Sequence, residues 1–111
     1  HADTLEETRT QLCEQNGVDP ADLAAVNLKL YLRMARGVAW RTHRWVSHVY
    51  ESAGAEDRLI WTGDRSGDFS RRADSALVTP DAEAFYCDFL RELQSQGAGT
   101  LEEIRRALMI K

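Results

Sequence analysis

Val26-Asn27-Leu28-Lys29-Leu30-Tyr31-Leu32-Arg33-Met34-Ala35-Arg36 is the stretch on which the fold turns. Two periods run through it. Val26, Leu28, Leu30, Leu32 and Met34 alternate with other residues, the pattern of a strand. Leu23, Val26, Leu30 and Met34 also lie together on a helical wheel, with Lys29, Arg33 and Arg36 on a narrow stripe elsewhere. Leu, Ala, Lys, Arg and Met are good helix formers. Asp19-Pro20 is a helix start, with Asp as N-cap and Pro in the first turn. Composition and start signal together predict a heavily buried helix from Asp19-Pro20 to Arg36, stopped by Gly37.

Beyond Gly37 the composition changes. Val38 to Tyr50 is rich in Val, Trp, Thr and Tyr, which suit a pleated surface. Ser52 to Glu56 reads as a turn and Arg58 to Thr62 as a second strand, so an antiparallel hairpin of roughly 44–51 against 57–63 is expected. Trp45, Val46, Val49, Tyr50 and Ala53 also fit a helical period, which keeps a helical alternative open. Gly63 to Ser75 reads as a long polar loop, and Ala76 to Thr79 as a short third strand. Thr4-Leu5-Glu6-Glu7 and Thr100-Leu101-Glu102-Glu103 are capping boxes that start the first and last helices. Thr79-Pro80 opens a helix to about Gln96, with Ala82, Phe85, Phe89 and Leu93 inward. The fold class is therefore α+β: two N-terminal helices, a two- or three-stranded antiparallel sheet over about 38–79, and two C-terminal helices, in a single domain over 1–111. An all-α bundle is the alternative.

Charge is distributed unevenly. Leu23 to Tyr50 contains no Asp or Glu but carries Lys29, Arg33, Arg36, Arg41 and Arg44, with His43, His48, Trp40, Trp45, Tyr31 and Tyr50. The whole chain has a net charge of −4, so with those five cations set aside the remainder carries −9. Such segregation bears on partners rather than on chemistry. Arg beside Trp suits an acidic protein surface and also phosphate contact with base stacking. The competing reading is intramolecular, with Glu6, Glu7 and Glu14 and the Asp81, Asp88 and Glu92 face neutralising the centre. An overall pI near 5.3 opposes nonspecific DNA affinity.

Catalytic and metal signatures are thin. No Gly-rich phosphate loop, zincin or nucleophile-elbow motif occurs, and the reading leans away from an enzyme. Asp64, Ser66, Asp68 and Ser70 alternate as calcium-loop ligands do, but Phe69 stands where Gly is needed and Ser75 where Glu is needed. His43 and His48 point to different faces in either structure. No cofactor or metal is expected. Cys13 and Cys87 read as buried reduced thiols in a cytoplasmic protein; a Cys13–Cys87 disulfide in an exported one is the alternative. No apolar run reaches the length of a membrane span, and no signal peptide is visible. Leu101, Ile104, Leu108, Met109 and Ile110 form an apolar patch, read as core or as a homodimer seam.

Arg36-Gly37-Val38, Trp40 and Arg44-Trp45-Val46, followed by Arg58, Trp61 and a later amphipathic helix, resemble the three-stranded AP2-type DNA-reading module. The Gly37-to-Trp45 spacing is shorter than in that family, the 63–75 loop is longer, and the N-terminal helices lie outside the pattern. The resemblance implies DNA contact by Arg36, Arg41 and Arg44 on the sheet. From the residues themselves, the first expectation is a regulatory or adaptor protein that meets an acidic protein partner through Arg33, Arg36, Trp40, Arg41, His43, Arg44 and Trp45. Sequence-selective DNA binding on the same sheet is the second. A small enzyme or ligand carrier with its site under loop 63–75 is the third.

Overall fold

The structure is a computed structural model that describes every residue except His1, Val38, Trp40, Ala55 and Lys111, and Ile110 in its backbone only. The chain forms two compact units, residues 1–77 and residues 78–111. The α+β class holds. In the first unit a helix α1 (Leu5–Arg9) runs on into a π-helical turn (Thr10–Gln15), and a short helix α2 (Pro20–Ala24) follows. Four strands come next: β1 (Leu28–Arg36), β2 (Thr42–Ser52), β3 (Asp57–Gly63) and β4 (Phe69–Arg71). They form one antiparallel sheet in the order β1-β2-β3-β4.

The start signal at Asp19-Pro20 is real, because the Asp19 carboxylate accepts from Ala21 N–H at 2.9 Å. The long helix expected after it is not. Residues 28–36 are a strand, and the sheet begins about ten residues earlier than the sequence suggested. Asn27 and Ser52 mark the change: Ser52 N–H donates to the Asn27 carbonyl at 2.8 Å, Asn27 Nδ2 to the Ser52 carbonyl at 3.0 Å, and Ser52 Oγ to the Ala24 carbonyl at 2.6 Å. Helix propensities differ by only tenths of a kcal/mol per residue. Nine residues of pairing with β2, and a buried partner for Lys29, outweigh them.

Lys29 and Asp57 form that buried contact. Lys29 Nζ lies 2.6 Å from Asp57 Oδ1, with side-chain exposures of 6% and 5%. The ammonium also donates to the Val26 carbonyl at 3.0 Å, and Arg9 Nη2 reaches Asp57 Oδ2 at 3.2 Å. One carboxylate thus ties α1, β1 and β3 together. Among the described residues Tyr31, Leu23 and Ile60 are the buried apolar side chains of this unit.

Each side of the sheet is set by register, since paired residues share a face. Lys29, Tyr31, Arg33 and Ala35 of β1 lie opposite Tyr50, His48, Trp45 and His43 of β2 on the face that meets α1. Leu28, Leu30, Leu32 and Met34 lie opposite Glu51, Val49, Val46 and Arg44 on the other. A bulge at Ser47 lets β2 change parity part-way, and Ser47 Oγ donates to the Tyr31 carbonyl at 3.2 Å. A second irregularity leaves Ile60 as the extra residue of β3, and its carbonyl accepts from Arg72 N–H at 2.7 Å. Gly63 is required where it stands, because a Cβ there would lie 2.1 Å from the Val46 carbonyl oxygen.

The hairpin expected at 44–51 and 57–63 corresponds to β2 and β3. The fourth strand falls at 69–71, inside the expected loop, and residues 76–79 are not a strand: 76–78 are bends and Thr79 is the extended N-cap of the next helix. Glu51, 4% exposed, gathers the segment that follows: it accepts from Ser75 Oγ and from Ala76 N–H at 2.6 Å.

In the second unit, helices α3 (Pro80–Ser95) and α4 (Leu101–Ile110) start as read. Thr79 Oγ1 caps Ala82 N–H, and Thr100 Oγ1 accepts from Glu103 N–H while Glu103 Oε2 accepts from Gly99 N–H. Phe89 and Leu93 are buried and Ala82 half-buried, but Phe85 is exposed and sits edge-to-face with Tyr86.

Removing one partner of a buried pair strands a charge at a cost of about 3–5 kcal/mol, whereas an apolar replacement of both is often near neutral. Asp57→Ala is therefore expected to lower the unfolding free energy by about that amount, and the double variant Lys29→Met/Asp57→Leu by much less. Urea denaturation of both measures the difference.

Burial acts to raise the Glu51 pKa, but hydrogen bonds from Ser75, Ala76 and Leu77 outweigh it and hold the group below 4.5. A lowered folded pKa contributes stability above the unfolded pKa that is lost as pH falls through the folded one. Glu51→Gln is expected to be less stable than the parent at pH 7, with the gap closing as the pH drops below 4.5 in urea titrations.

Candidate functional site

Of the seven residues read from the sequence, the six that are described do not share one face. Arg33 lies opposite Trp45, and His43 opposite Ala35, so Arg33, His43 and Trp45 form one cluster on the α1 face of the β1–β2 ribbon. Arg36 lies opposite Thr42 and Arg44 opposite Met34, on the reverse face. Arg41 is exposed in the connection between the strands, and Trp40 lies outside the described residues. The helical stripe of Lys29, Arg33 and Arg36 is undone by the two-residue period of the strand. Lys29 faces the interior, and Arg36 emerges on the side away from Arg33.

Within the cluster, the His43 and Trp45 rings stack with centroids 5.8 Å apart and planes 27° from parallel. His43 Nε2 makes a hydrogen bond of 2.7 Å with the Arg65 carbonyl, which fixes the ring. Trp45 is half-buried, while Arg33, Arg41, His43 and Arg44 are exposed. Among the described residues no carboxylate lies within ion-pair distance of Arg33, Arg41 or Arg44. Glu7 is engaged by Asp3 N–H, and Asp88 pairs with Arg91.

The aromatic row continues down β2 past the Ser47 bulge. His48 stacks on Tyr50 at 6.2 Å, and Tyr50 meets Tyr31 edge-on at 5.8 Å. A cavity of ≈ 160 Å³ lies between these rings and the start of α1, lined by Asp3, Thr4, Leu5, Tyr31, Arg33, His48 and Tyr50. Sequence reasoning missed Tyr31, His48 and Tyr50 as companions of Arg33, because a one-residue bulge has no periodic signature. On the reverse face Arg71 lies over the Trp61 ring at 4.3 Å, with Phe69 beside it. This pairing was hidden in a segment that reads as loop.

The 64–68 turn is closed on itself. Asp64 Oδ1 accepts from Ser66 N–H at 2.9 Å and Asp68 N–H at 3.1 Å, and Ser66 Oγ also donates to it; these bonds hold the carboxyl below its ordinary value. Its oxygen is committed to building the turn. Among the described residues no group of three or more His, Cys, Asp or Glu side chains is placed to hold a metal. Cys13 and Cys87 are free thiols, and Cys87 is exposed rather than buried. Among the described residues no helix is long and apolar enough to cross a membrane.

No family model, curated protein or solved structure matches this chain. The likeness to the AP2-type module therefore rests on its motif positions alone. Of the three arginines it implicates, Arg36 and Arg44 share a face and Arg41 lies between the strands.

Tyr31 joins this cluster to the fold. Its hydroxyl hydrogen-bonds Thr8 Oγ1 at 2.7 Å, and burial raises its pKa above 10.0 while that bond works in the opposite direction. A raised folded pKa gives stability that is complete below the unfolded value and lost as pH rises through the folded one. Tyr31→Phe is expected to cost about 1 kcal/mol at pH 7 for the lost hydrogen bond. Above pH 10 the gap to the parent should shrink, as read from urea midpoints.

Proposed function

We propose that this chain is a binding protein of regulatory or adaptor type, which contacts an acidic protein partner through the open end of the β1–β2 ribbon. The observation that supports this reading most is the absence, among the described residues, of any carboxylate paired with Arg33, Arg41 or Arg44. All three arginines are exposed. Trp45 supplies the anchor: half-buried and stacked on a ring that is itself hydrogen-bonded, it has little rotamer freedom left to lose on binding. The arginines supply steering toward negative potential. Arg36 adds to the reverse face beside Arg44, and Trp40 completes the proposed set.

The division of cations between two faces favours a protein over a nucleic acid. A duplex laid on one face meets Arg33 or Arg44 but not both, whereas a protein surface can close around a ribbon end from both sides. The acidic remainder of the chain also opposes a polyanion more than it opposes a locally acidic patch.

Fluorescence anisotropy with a labelled peptide of nine Glu residues, at low and physiological salt, tests the electrostatic part. The triple variant Arg33→Glu/Arg41→Glu/Arg44→Glu is expected to bind at least about ten-fold more weakly than the parent, matching the loss of roughly 1.4 kcal/mol of coupling. Unchanged affinity overturns the reading. Tighter binding of a DNA duplex than of the peptide, steeply weakened by salt, replaces it with nucleic-acid recognition.

A further inference from the structure

The edge of the sheet next to this surface specifies the form of the partner. Among the described residues β1 has a strand neighbour on one side only, β2. It is nine residues long, contains no Pro, and the bulge in the β1–β2 pair falls on β2, leaving β1 itself regular. Edges of this kind are normally blunted by charge, Pro, bulges or short length, because their unpaired N–H and C=O groups are a template for another strand. The one lysine of β1 is spent inside the fold on Asp57.

The two sides of this edge differ in chemistry. On the reverse face Leu28, Leu30, Leu32 and Met34 are 54%, 54%, 59% and 65% exposed, an unbroken apolar row. On the α1 face the exposed side chain of the strand's centre is Arg33, without a carboxylate partner among the described residues. A strand added at β1 would lie about 4.8 Å away and place alternate side chains on the two faces. We infer that the partner segment is an extended peptide alternating apolar and acidic residues, added as a fifth strand along β1. Its apolar side chains extend the Leu28–Met34 row and its carboxylates meet Arg33. This inference rests on the acidic-partner reading above and adds the mode and the sequence pattern.

Charge decides against a second copy as the occupant. β1 and its neighbours from Leu23 to Tyr50 carry no acid. Antiparallel pairing of two β1 strands over all nine residues sets the two Arg33 side chains on the diagonal. Shifting the register by two residues one way sets Arg33 against Lys29, and the other way sets Arg33 against Arg33. Like charges opposed across strands are destabilising. An acidic alternating strand meets none of these conflicts.

The test uses the full chain and labelled nonapeptides in anisotropy titrations. One alternates Glu and Val; a second has the same composition in two blocks, five Glu then four Val. Two further versions of the alternating peptide carry backbone N-methyl groups at odd or at even positions, so that only one set removes the donors facing β1. The alternating peptide is expected to bind at least ten-fold tighter than the block peptide. One methylated set should abolish binding while the other leaves it within about two-fold, and Leu32→Lys should weaken it several-fold. Equal affinity of alternating and block peptides, or equal binding of both methylated sets, overturns strand addition and leaves the acidic-partner reading standing. No binding of any acidic peptide, with Arg33→Glu without effect, overturns both. A dimer in sedimentation velocity whose β1 amides resist hydrogen exchange assigns the edge to a second copy and also overturns the inference.

Discussion

A lysine withdrawn from water is the constraint on which the first 77 residues depend. An ammonium inside a protein is tolerable only if a carboxylate reaches it with good geometry and its remaining protons find acceptors. Lys29 meets both conditions through Asp57 and the Val26 carbonyl. That requirement fixes β1 as a strand, sets its inward face, and draws β3 to within reach of it. It also recruits Arg9, so the first helix is held by the same carboxylate that anchors the sheet. The pair specifies arrangement more than it adds stability, since desolvating both ions offsets most of their attraction.

From this follows the division of labour among the cations. A helix would have grouped Lys29, Arg33 and Arg36 on one stripe. The strand distributes them to three environments: interior, α1 face and reverse face. What emerges beside α1 is a compact Arg–Trp–His cluster, and what emerges on the other side is an apolar row ending in arginines. The ribbon end is therefore amphipathic across its thickness. Charge on one side and hydrocarbon on the other are the two ingredients a polar, moderately sized interface uses for steering and for burial.

How much of this was legible depends on how far apart the deciding residues are. The capping boxes and the β2–β3 hairpin are local, and both read correctly from spacing and turn composition. His43 and Trp45 share a face for the same local reason. The identity of residues 28–36 is not local: its determinant, Asp57, lies 28 positions from Lys29, and the helix-forming composition between them points the other way. β4 is three exposed residues on a polar edge, too short to produce a period. The grouping of Arg33 with Tyr31, His48 and Tyr50 needs both the strand assignment and the Ser47 bulge, neither of which leaves a mark on the order of polar and apolar residues.

The bulge at Ser47 has a bearing on how β2 tolerates change. Up to that point the even-numbered side chains share the Leu-rich side; after it the odd-numbered ones do. A single inserted residue thus acts as a phase slip, and the two halves of the strand are governed by opposite parity rules. Loss of Ser47 itself would bring Val46 and His48 into plain alternation with each half keeping its β1 partners, whereas loss of a residue within either half would break the match between that half and its face. The strand is in this sense two short words joined by a hyphen, and each word is spelled to its own side of the sheet.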